Sequence, residues 1–100
     1  MTKKEEYIAL KNMGYEEGKI YFVTIFYEYL YSFDIDLNDI NGEMLIKMLT
    51  EESEGDMAVY PLPDFIEAFN DESIGIFSYI LSFTISENDG IKIEHGHYTI

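Results

Sequence analysis

The sequence predicts an α+β fold, with helices first and a small antiparallel sheet after them. Three observations carry this: a capping box at the start of the chain, a second capped helix near its middle, and a period-two alternation of apolar and polar residues near its end. The 100 residues are 47% hydrophobic, enough for one modest shared core, so residues 1–100 are expected to form a single acidic globular domain.

The first helix, about 2–13, starts at Thr2, whose hydroxyl can cap the backbone while Glu5 completes the box three positions on. Gly14 is a fitting stop, and Tyr7 with Leu10 and Ala9 with Met13 fall at helical spacing. The next stretch, IYFVTIFYEYLYSFDID, has strand-like composition but does not alternate. Its polar or amphipathic positions, Glu17, Tyr21, Thr24, Glu28, Tyr31 and Ile35, step by three and four, which predicts a largely buried helix over about 16–33. A third helix, about 41–52, is capped by Asn41 and carries a stripe of Met44, Leu45, Met48 and Leu49, with Lys47 outside it.

EESEGD, residues 51–56, reads as a link, and MAVY as a short strand ended by Pro61 and Pro63. PDFIEAFN then predicts a two-turn helix with Phe65, Ile66 and Phe69 on one face. In the last third, Phe77, Tyr79, Leu81, Phe83 and Ile85 alternate with Ser78, Ile80, Ser82, Thr84 and Ser86. ENDG supplies a turn, so a C-terminal hairpin is expected over about 76–86 and 91–99.

Net charge is −14, from 20 acids against 6 bases, and all the bases are lysine. Such a surface repels nucleic acid, whose binding depends on Lys and Arg neutralising phosphates, and anionic membranes for the same reason. The first residues do not read as a secretory signal, and no apolar run approaches the roughly 20 residues of a membrane helix. With no cysteine in the chain, a cytoplasmic location is expected.

Motifs for chemistry are weak. DIDLND, residues 34–39, opens like a calcium loop, but Asp39 stands where the loop needs glycine and Leu45 where it needs a bidentate glutamate. His95 and His97 share a strand face without a third histidine or a cysteine, so no metal site and no cofactor are expected. Neither a nucleophile elbow nor a glycine-rich phosphate loop is present, and an enzyme is not expected. SEGDMAVYP resembles a short piece of the colicin nuclease immunity proteins, over less than a tenth of the chain. Their all-helical fold differs from the hairpin expected here, so the resemblance carries no weight.

Charge segregation is the stronger signal. Residues 34–73 hold twelve of the acids and only Lys47. A field of one sign speeds association with an oppositely charged partner, which points to a basic protein such as a nuclease, a toxin or a defence effector complex. The expected function is a non-catalytic inhibitor that presents carboxylates where phosphates would lie, of phage anti-defence, anti-CRISPR or DNA-mimic type, or a toxin immunity protein. Its expected contacts are Asp34, Asp36, Asp39, Glu43, Glu51, Glu52, Glu54 and Asp56, with Tyr31 and Tyr60 as apolar anchors and Tyr29 as a further surface candidate. The alternative is a small structural or assembly subunit that associates, as a homodimer or an extended sheet, through the edge of its C-terminal hairpin.

Overall fold

The computed structural model describes residues 1–51, 57–71 and 78–95. The elements are α1 (Lys3–Asn12), β1 (Tyr21–Phe26), α2 (Tyr27–Ser32), a 3-10 turn (Leu37–Asp39), α3 (Gly42–Thr50), β2 (Met57–Pro61), α4 (Leu62–Asn70), β3 (Ser78–Ser86) and β4 (Gly90–His95). The four strands form one antiparallel sheet in the order β2-β1-β3-β4, so the α+β class is borne out.

Local signals account for α1 and α3. The Thr2 hydroxyl accepts from the Glu5 amide at 3.1 Å, and Glu5 Oε1 accepts from the Thr2 amide at 3.0 Å. That second bond holds the exposed Glu5 carboxyl below its ordinary range. At the other end Gly14, at φ 103°, lets the Tyr15 amide reach the Leu10 carbonyl and its own amide reach Lys11, a Schellman closure. Asn41 caps α3 by accepting from the Met44 amide at 2.9 Å, and Leu45 and Met48 are buried beneath it.

The helix expected over 16–33 is the main correction. Residues 21–26 are β1, and only 27–32 are helical. β1 is central, pairing with β2 on one side and β3 on the other, for example Val23 with Val59 and with Leu81. Both of its faces are covered, so its apolar residues run on without alternation, as they do in strands with two buried faces. Tyr21, Val23 and Ile25 join Leu10, Leu45, Met48 and Leu81 in the main core beneath α1, α2 and α3. Phe22 faces the other way and stacks on Phe65 of α4, with ring centroids 4.1 Å apart. Ile80 of β3 also turns to that second face, whereas Ile66, expected on the apolar face of α4, is half exposed.

The hairpin is borne out over its described residues. Gly90, at φ 66°, is its turn residue, and the Ile91 amide donates to Glu6 Oε1 at 3.3 Å. The Glu6 carboxylate also lies against Gly42 at the start of α3, so one side chain joins α1, α3 and the hairpin. A Cβ on Gly90 would come within 2.9 Å of the Lys3 carbonyl oxygen and 2.6 Å of Glu6 Oε1. Gly90→Ala is therefore expected to cost about 2–4 kcal/mol, from left-handed backbone strain plus overpacking against a helix backbone. A denaturant midpoint equal to that of the parent chain would contradict this account of the turn.

Candidate functional site

The acidic stretch surrounds the two helices that follow β1. Asp34, Asp36 and Asp39 lie on the connection from α2 to α3, Glu43 in the first turn of α3, and Glu51 at its C-terminal cap. All five are exposed. Glu52, Glu54 and Asp56, with most of the expected 51–56 link, lie outside the described residues, as does His97. Every lysine of the chain is described, and the ion pair found among the described residues, Lys19 with Glu16, lies outside the acidic stretch.

Asp34 stands out on backbone grounds. The α2 helix closes by the same device as α1, with the Ile35 amide on the Leu30 carbonyl at 2.9 Å and the Asp34 amide on the Tyr31 carbonyl at 3.2 Å. The closing position requires positive φ, and Asp34 occupies it at 52°, where α1 uses glycine. Its carboxylate also stands at the carbonyl end of a helix, where negative charge is disfavoured. Asp34→Gly is accordingly expected to stabilise the protein by about 1 kcal/mol. Thermal melts of the two forms measure this, and a loss of stability would mean that Asp34 serves the fold.

The tyrosines divide differently from the expectation. Tyr31 is 78% exposed, as an anchor should be. Tyr29 is buried in the main core, because its turn of α2 faces the sheet. Tyr60 is half-buried against Phe65, with centroids 6.5 Å apart. It pairs with Phe22 across β1 and β2 and so points to the α4 side of the sheet, opposite α2. Tyr31 and Tyr60 therefore do not share a surface. Sequence reasoning missed Phe33, which is 64% exposed beside Asp34 and leans on Tyr29 at 4.9 Å. The four-residue spacing from Tyr29 accounts for that contact, but nothing in the sequence signals the exposure.

Among the described residues, no group of three or more His, Asp or Glu side chains is placed to hold a metal ion, and no helix is long and apolar enough to cross a membrane. In its Nε2–H tautomer, His95 accepts at Nδ1 from the Tyr79 hydroxyl across 2.6 Å. Burial, and secondarily the neighbouring Tyr27, raises the Tyr79 hydroxyl above the ordinary tyrosine range. Tyr15 is raised in the same way by burial and then by Tyr21. A raised pKa favours the protonated form in the fold, so this contribution is present below about pH 10 and lost as pH rises beyond it. Stability is expected to fall in alkali. Replacing both tyrosines by phenylalanine should flatten the fall in denaturant titrations, and an unchanged slope would remove these two hydroxyls as its cause.

At the end of β1 away from α2, an open cavity of about 350 Å³ is lined by Gly18, Lys19, Ile20, Pro61, Leu62 and Pro63. Lys19 is its only titratable lining group among the described residues, so the cavity gathers no pair of groups for acid–base chemistry. The edge of β4 has its Ile91 donor already taken by Glu6, which leaves less of the hairpin for strand pairing. Comparison with protein-family models, with curated proteins and with solved structures returns no significant match.

Proposed function

We infer that the chain is a non-catalytic binding protein that blocks a basic, nucleic-acid-handling protein, with the carboxylates around α2 and α3 standing where phosphates would lie. The observation that carries this reading is Asp34: a carboxylate kept at a left-handed helix end, where glycine would serve the fold better. Locally unfavourable choices of this kind cluster at functional sites. The exposure of Asp39, Glu43 and Glu51 supports it. A nuclease, a toxin or a defence effector complex has the required basic groove, and both toxin immunity and phage anti-defence use such blocking.

The test is capture of partners from a lysate of the native host at low and high salt, with bound proteins identified by mass spectrometry. One basic nuclease or nucleic-acid-binding complex, recovered at low salt and lost at high salt, is the expected result, because exposed charges are screened within about 10 Å at 0.1 M salt. Salt-indifferent self-association as the sole product would overturn the reading in favour of an assembly subunit pairing through its strands.

A further inference from the structure

The surface of α2 narrows the kind of partner, on the reading just given. Tyr31 and Phe33 are large apolar side chains standing mostly in solvent, 78% and 64% exposed. Exposed aromatic groups rimmed by charge mark interaction surfaces more often than bare solubility does. Both rings are supported from within the helix. Tyr31 stacks on Tyr27 with centroids 6.2 Å apart and planes 21° apart, and Phe33 leans on buried Tyr29. Rings held in this way lose little freedom on binding.

The charges nearest in sequence are all of one sign. Glu28 precedes Tyr31 by three residues on α2, a neighbouring position on the helix surface, and Asp34 follows just past the helix end, where its amide bonds the Tyr31 carbonyl. From Lys19 to Lys47 the sequence contains no base. Aromatic faces carry negative quadrupole density and attract cations. Of the two protein cations, guanidinium fits better: it is flat, weakly hydrated, stacks on a ring and still directs N–H groups at a neighbouring carboxylate, whereas ammonium stays hydrated as a point charge. Nucleobases also stack on aromatic rings, but their phosphates would meet these carboxylates.

We propose that the α2 surface at Tyr31, with Glu28 one turn before it and Asp34 just past the helix end, docks an arginine-bearing basic segment of the partner protein, with a guanidinium stacked on the Tyr31 ring and hydrogen-bonded to one of these carboxylates.

The experiment titrates the full chain at low salt with a short peptide of alternating arginine and glycine, and separately with its lysine counterpart. Affinities come from calorimetry, and ring signals of labelled tyrosine from NMR. The arginine peptide should bind roughly threefold or more tightly and shift the Tyr31 signal. Tyr31→Ala should erase that preference, while Tyr31→Phe, which keeps the ring, should retain it. Equal affinities, or a preference that survives Tyr31→Ala, would overturn the guanidinium site and leave the acidic interface standing. Binding of neither peptide would overturn both.

Discussion

Phe83→Ala is expected to destabilise the protein by about 3–5 kcal/mol, the range for removing a buried aromatic ring from a packed core. Phe83 is 1% exposed on β3, stacked on Tyr21 at 5.4 Å and met edge-on by Tyr15 at the same distance. Removing the ring therefore opens a hole between a central strand, its neighbour and the loop after α1. A domain of this size has about 5–15 kcal/mol in total, so the loss takes a large share of it. Denaturant unfolding followed by circular dichroism gives the number directly. A cost below about 1 kcal/mol would mean that the surrounding rings collapse into the space or that the core is arranged otherwise. Thr84→Ala, one residue along and partly exposed, is the control and should change little.

The second large effect is on binding. A variant combining Asp34→Asn, Asp36→Lys, Asp39→Lys, Glu43→Gln and Glu51→Lys is expected to weaken capture of the partner at least tenfold, chiefly through slower association. The substitutions are chosen to spare the fold. Asparagine tolerates the positive φ of Asp34, a neutral group in the first turn of α3 avoids a repulsive charge, and lysine at the end of α3 suits the helix dipole. A melting temperature close to that of the parent chain shows that the fold survives. Full-strength capture by such a folded variant would rule out the acidic stretch as the interface.

These two predictions depend on parts of the molecule that differ in how readily sequence exposes them. The ends of α1 follow from residues within a few positions of one another: Thr2 with Glu5, and Gly14 with the last turn. The hairpin is similar, since alternation along 78–86 and the glycine at position 90 are local signals. β1 is different. Phe22 is apolar because Phe65 of α4 stacks on it, and Val23 because it pairs with Leu81 and lies in the core that Leu10 shares, so its pattern records partners from both ends of the chain. Read alone, it was consistent with a helix over 16–33. The acidic residues were identifiable by type, but their value was not. That Asp34 closes a helix at positive φ, and that Tyr31 and Tyr60 face opposite sides of the sheet, follow from α2 beginning at residue 27.

The central position of β1 bears on how the protein comes to be made. Tyr21 meets Phe83 about sixty residues later, and at about 5–20 residues per second the ribosome takes several seconds to deliver that partner. Throughout that interval a newly emerged segment rich in aromatic and β-branched residues lacks its β3 neighbour, and for about the first forty residues its β2 neighbour as well, which is the condition under which nascent chains associate with one another. The carboxylates of residues 28–51 emerge directly behind it. Like charges so close behind it oppose the association of one unfinished strand with another, a physical effect of the acidity that needs no partner.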